Sequence, residues 1–172
     1  GCKVLAIEPE AQNYALLLEN IALNGVQANV TATNLAITKE LGLGTLKVNE
    51  LTKGGAYNQF SLAMGPQIEG CDEPSPAAVS QLQIGVSLDE LMKRFQCSPP
   101  THIKIDVDGI EPEIISGASQ VLSQDRCTSL LIEVQKSDPQ HIPMLERVAF
   151  LGFRCVSERS TWESRTDLIK NS

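Results

Sequence analysis

Asp106, Asp108 and Glu111 lie together in the segment Ile103-Lys104-Ile105-Asp106-Val107-Asp108-Gly109-Ile110-Glu111. Acids this close repel one another unless something positive answers them. A metal ion, a cationic ligand, Lys104 or the N-terminus of a following helix could each do so. Alternation along a strand puts Lys104 and Asp106 on one side, which predicts an internal ion pair. Gly109 would let the backbone pass close to a ligand. Three more polar residues stand directly after runs that read as strands: Glu8, Asn34 and Glu133. In open parallel sheets, ligands bind beyond the carboxyl ends of the strands, so these positions are where chemistry is expected. Glu8 is placed to accept both hydroxyls of a ribose, or else to cap the helix that follows.

The elements that carry these residues follow from periodicity. Val4-Leu5-Ala6-Ile7 is a short apolar run stopped by Pro9, as in a strand buried on both faces. Tyr14, Leu17, Leu18 and Ile21 then recur at helical spacing, and Asn24-Gly25 ends that helix. Val30 to Thr33 reads as a second strand, Thr45 to Val48 as a short strand in a hairpin, and Leu82 to Val86 as another strand. The stretch from Gly54 to Pro76 shows no helix or strand period and is expected to be a long loop. Ser87 and Glu90 form a capping box for a helix ending before Pro99. Ile103 to Val107 is a further buried strand, followed by one helix from Pro112 through Leu122 and then the strand Leu130-Leu131-Ile132. Asp138-Pro139 predicts a helix start, for a helix stopping at Gly152. Phe153 to Val156 and Leu168-Ile169 are the last strands. Strands alternating with helices imply an α/β fold with a mainly parallel sheet covered on both faces.

Bulk properties bound the function. With 172 residues, 42% of them hydrophobic, the chain is expected to form one domain with a real core, spanning residues 1–172. A net charge of −7 leaves no basic face for a phosphate backbone, so nucleic acid is not an expected partner. No apolar run approaches the ~20 residues needed to span a bilayer, so no membrane is expected either. Five cysteines without a CxxC pair argue against a disulfide framework or structural zinc and point to the reducing cytoplasm. Two histidines cannot form a His-rich metal triad; His102 and His141 read as surface or cap residues, and His141 could act as a base if a fold-back brought it to the mouth. Trp162 reads as an anchor for the last strand.

Two resemblances bear on the acidic turn. Asp106 to Gly109 is similar to the DxDG loop of haloacid dehalogenase-type phosphatases. Against that stand Ile110 where a hydroxyl residue is usual, the mid-chain position, and the lack of a downstream Asp-Asp pair. The longer run Ile103-Lys104-Ile105-Asp106-Val107-Asp108-Gly109-Ile110-Glu111-Pro112-Glu113 through Gly117-Ala118 resembles the most specific signature of the FkbM-type methyltransferases. Val4 to Glu10 with Asn13-Tyr14, Leu17, Asn20 and Asn24-Gly25 resembles that family's second strand and helix, and Leu131-Ile132-Glu133-Val134 its following strand.

The resemblance implies a Rossmann-like class I fold and O-methylation of a hydroxyl on a sugar or natural product, with S-adenosyl-L-methionine as cofactor. It assigns the ribose hydroxyls to Glu8 and the adenine to Asn34, Leu35 and Ala36. It sets Asp106 beside the methionine end of the cofactor, with Asp106, Glu111 and Glu133 at the reacting mouth. It places Asn58 and Ser61 over a small-molecule acceptor; no residue is assigned as a metal ligand, and metal dependence is left open. Class I methyltransferases grip the cofactor with a Gly-rich loop after their first, central strand, and no such strand precedes Lys3. The expectation is therefore a domain lacking that strand, whose front belongs before Gly1. A non-catalytic scaffold of the same fold is the alternative.

Overall fold

A computed structural model describes residues 1–49, 52–55, 58–62, 79–107, 109–134, 138–160 and 164–170; for 158–160, 164, 165 and 167 only the backbone is described. The chain divides into two compact units, Gly1–Ile37 with Leu41–Val86, and Thr38–Glu40 with Ser87–Ser172.

In the first unit, β1 (Val4–Ile7), α1 (Ala11–Leu23) and β2 (Val30–Thr33) form a β–α–β unit whose strands pair in parallel, Ile7 beside Thr33. The helix begins where Pro9 ends the strand. Glu10 caps it, its carboxylate accepting from the Gln12 and Asn13 amides at 3.0 and 2.7 Å, which satisfies two donors that a helix start leaves open. Glu10, not Glu8, is thus the cap. Four further strands, β3 (Ala36–Ile37), β4 (Gly42–Val48), β5 (Gln59–Leu62) and β6 (Val79–Val86), form a second sheet in the order β3-β6-β4-β5. Its buried face gathers Leu46, Val48 and Phe60. Gly44 is required there, because a Cβ would stand 2.5 Å from the Phe60 ring.

The second unit holds α2 (Leu88–Arg94), β7 (His102–Ile105), α3 (Glu111–Ser116), α4 (Ser119–Ser123), β8 (Ser129–Val134), α5 (His141–Phe150), β9 (Phe153–Ser160) and β10 (Ser164–Lys170). Its sheet runs β7-β8-β10-β9 around a core of Ile105, Ile115, Leu122, Leu130, Ile132 and Val148. The Lys170 ammonium donates to the carbonyls of Leu122, Ser123 and Gln124 at 3.1, 2.7 and 2.8 Å, tying the last strand to the open carbonyl end of α4.

Four expectations are corrected. The sheets are mixed rather than mainly parallel: β1–β2, β3–β6 and β7–β8 are parallel, whereas β4–β5, β4–β6, β8–β10 and β9–β10 are antiparallel. Only three positions separate β9 from β10, and a link that short permits antiparallel pairing alone. The expected loop from Gly54 contains β5, whose four residues are too few to show a period between glycines. The single helix over Pro112–Leu122 is two, broken at Gly117-Ala118. The last helix starts at His141, because Asp138 spends its side chain on the Gln140 amide in the preceding turn. Trp162 and Cys71 lie outside the described residues.

Candidate functional site

In the first unit, Glu8 follows β1 directly and is half-buried. Its Oε1 accepts from the Glu10 amide at 2.9 Å, and its own amide donates to Thr33 at 3.1 Å, so backbone bonding on both sides fixes where the carboxylate stands. Asn34, directly after β2, is exposed; Leu35 is half-buried and Ala36 is 2% exposed in β3. Asn34 and Leu35 line one edge of an open cavity of about 300 Å³ that Leu43, Leu82, Gln83 and Ile84 complete. Four of its six lining residues are apolar and two carry carboxamides. Asn58 is half-buried, and its Oδ1 is shielded from water with no hydrogen-bond partner among the described residues. Ser61 is exposed on β5 opposite Thr45, in a strand and not in a loop.

Two residues that the sequence reading passed over hold this region. Gln81 donates from Nε2 to the Pro9 carbonyl at 2.7 Å and accepts from the Ala11 amide at 3.1 Å. The same Nε2 donates to Gln83 Oε1 at 3.0 Å, and Gln83 Nε2 donates to the Asn34 carbonyl. The signal was present as two glutamines in strict alternation with Leu82 and Ile84, inside a run that otherwise reads as core strand.

In the second unit, the expected pair forms: Lys104 Nζ stands 2.6 Å from Asp106 Oδ2, in a partly exposed position after β7. Asp108 lies outside the described residues. Gly109 has φ +102, a conformation that a side chain would strain, so this turn needs glycine. Glu111 opens α3 and is 2% exposed. Its Oε2 is 3.7 Å from His141 Nε2, and Asp138 Oδ2 is 3.9 Å from the same nitrogen. The chain does fold back to bring His141 to an acid of the signature turn, but as a residue 1% exposed. Glu113 of the same turn accepts from the buried Thr38 hydroxyl at 3.1 Å. Glu133 is 7% exposed on β8, with Arg165 opposite it in the register. His102 bridges to the Ser129 hydroxyl at 2.7 Å on the surface, linking neighbouring strands. Among the described residues, no cluster of three or more His, Cys, Asp or Glu could hold a metal ion.

The first unit thus holds a β–α–β unit with Glu8 directly after its first strand, and the second carries a glycine-dependent turn that leads into the buried Glu111, within an α/β fold. The chain matches the family model of the methyltransferase FkbM domain over residues 1–155, and it belongs to that family. It is similar in fold to the crystal structure of methyltransferase FkbM from Methylobacillus flagellatus KT, with a TM-score of 0.63 at 14% identity, over 96% of this chain and 36% of that one. This chain thus spans about a third of that protein's length. No curated protein matches it. No helix among the described residues is long and apolar enough to cross a membrane.

Proposed function

We propose that the protein is an S-adenosyl-L-methionine-dependent O-methyltransferase acting on a hydroxyl of a sugar or natural product, with this chain supplying nucleoside-binding and proton-handling residues. The family match over residues 1–155 is the observation that carries the reading. The residues fit the cofactor. A half-buried carboxylate held in place at the end of β1 is suited to a ribose diol, and the cavity beside Asn34 and Leu35 has the apolar walls that a planar base requires. When bound, the cofactor supplies a methyl group on a sulfonium, which passes to the acceptor oxygen by in-line displacement.

Such a displacement needs little covalent help, so positioning and removal of the hydroxyl proton are the protein's tasks. Glu8 holds the ribose, while Asn34, Leu35 and Ala36 flank the base. In the second unit, Asp106 is the carboxylate accessible to an acceptor and takes the proton, with Lys104 balancing its charge. Glu111 and Glu133 are withdrawn from water and support that end of the chemistry from within the fold. Asn58 and Ser61 contact the acceptor, and the cytoplasm is the working compartment.

The test is transfer of labelled methyl to a panel of hydroxylated sugars and natural products by the full-length protein. Asp106→Asn is expected to lower kcat by roughly 10²–10⁴-fold with cofactor affinity retained. Full activity in that variant would remove Asp106 from the mechanism. Absence of transfer to any acceptor, with no cofactor binding, favours the scaffold reading.

A further inference from the structure

Strand β6 carries an inverted pattern. Its apolar Leu82 and Ile84 are 61% and 51% exposed, while Gln83 is 8% exposed on the opposite face, with half-buried Gln81 beside it. A strand that turns its carboxamides inward forgoes apolar burial there, and such local departures mark positions kept for another purpose.

The hydrogen bonds show what these carboxamides hold. Read outward from α1, the Ala11 amide donates to Gln81 Oε1, Gln81 Nε2 donates to both the Pro9 carbonyl and Gln83 Oε1, and Gln83 Nε2 donates to the Asn34 carbonyl. Both carboxamides have one orientation that satisfies the whole chain, since a flip of either would set oxygen against oxygen. The relay grips the turn after Glu8 through Pro9 and Ala11, and the turn after β2 through Asn34. Those are the two turns to which the proposed function assigns the ribose and the base. Both turns are held through backbone groups, those of Pro9, Ala11 and Asn34; Gln83 also lines the cavity beside Asn34, whereas Gln81 does not.

We infer that Gln81 and Gln83 are positioning residues for nucleoside binding: their side-chain relay sets the spacing between the Glu8 turn and the Asn34 turn. The inference rests on the proposed function for its ligand. Its structural half, that Gln83 and the Ala11 amide are linked through Gln81, does not depend on any ligand.

Two measurements on the full-length protein separate these. In Gln83→Met, which retains the stem and removes the carboxamide, hydrogen exchange at the Ala11 amide is expected to accelerate although residue 83 does not touch it. In the same variant and in Gln81→Met, calorimetric Kd values for S-adenosylmethionine and for adenosine are expected to rise together by about five- to ten-fold, the worth of one or two net hydrogen bonds. Ser80→Ala, at an exposed position on the same strand, leaves both readouts unchanged. Unaltered exchange at Ala11 overturns the relay, whatever the ligand. Accelerated exchange with cofactor and adenosine affinities unchanged overturns the positioning role. If the wild-type protein binds neither compound, the proposed function fails, and positioning toward this nucleoside is overturned with it, whereas the exchange result still decides the linkage.

Discussion

His141 Nε2 lies 3.7 Å from Glu111 Oε2, with the two side chains 1% and 2% exposed. The residues are far apart in sequence, yet α5 begins with the one and α3 with the other. Buried polar side chains are costly to leave without their neighbours, so this juxtaposition ties the last helix to the signature turn. His141→Leu is therefore predicted to lower the unfolding free energy by about 1–3 kcal/mol, read as a reduced denaturant midpoint with an unchanged slope. A surface histidine would leave the midpoint where it is.

The break between α3 and α4 carries a second prediction. A Cβ on Gly117 would stand 2.4 Å from the Thr38 carbonyl oxygen and 2.9 Å from both Lys39 Cα and Ser87 Cβ. Backbone atoms cannot yield as a flexible side chain can, so Gly117→Ala is expected to cost about 1–3 kcal/mol or to displace the Thr38–Glu40 segment. At Gly25 nothing lies within 4 Å and only φ +64 opposes a side chain, so Gly25→Ala costs about 1 kcal/mol. Thermal denaturation of the two variants side by side checks the order; an equal effect would contradict the close-approach argument.

The same glycine shows how far the sequence could be read. The strands β1 and β8 were legible because each holds a short apolar run, although Val4 and Leu5 of β1 are exposed rather than buried on both faces; β7 was legible from the β-branched Ile103 and Ile105, and α1 because its apolar residues keep one period up to Asn24-Gly25. Gly117 looked like a tolerated helix residue, since the approach of Thr38 and Ser87 is a tertiary fact with no local signature. β5 was hidden because its pairing with β4, not its own pattern, makes it a strand. Glu8, Asn34 and Asp106 could be picked out as the polar residues that follow runs read as strands; Glu133 was singled out the same way, but β8 continues through it to Val134. Gln81 and Gln83 were passed over although their alternation with Leu82 and Ile84 is visible, because alternation is ordinarily taken to put the apolar residues on the core face and β6 reverses it.

Cys127 is fully buried, and burial pushes its thiol above the usual range, only partly countered by the Lys170 ammonium. A folded-state pKa raised above the unfolded value means the folded form holds its proton longer. The contribution is therefore fully present below the ordinary thiol pKa and is lost as pH rises toward the raised folded value. Two outcomes are predicted. Stability declines on the alkaline side less steeply in Cys127→Ala than in wild type, and at pH 8 iodoacetamide labels exposed Cys2 and Cys155 well before Cys127. Peptide mass mapping of the labelled sites checks the second; early labelling of Cys127 in the folded protein would contradict its burial.

Whether the carboxylate after β1 holds the nucleoside of the methyl donor is decided by calorimetric titration of the full-length protein with S-adenosylmethionine, wild type beside Glu8→Ala. Saturable binding by the wild type is expected, with an affinity lower by roughly 10–100-fold in the variant, the worth of one or two charge-assisted hydrogen bonds to the ribose. No binding by the wild type, or equal affinity in Glu8→Ala, would contradict it.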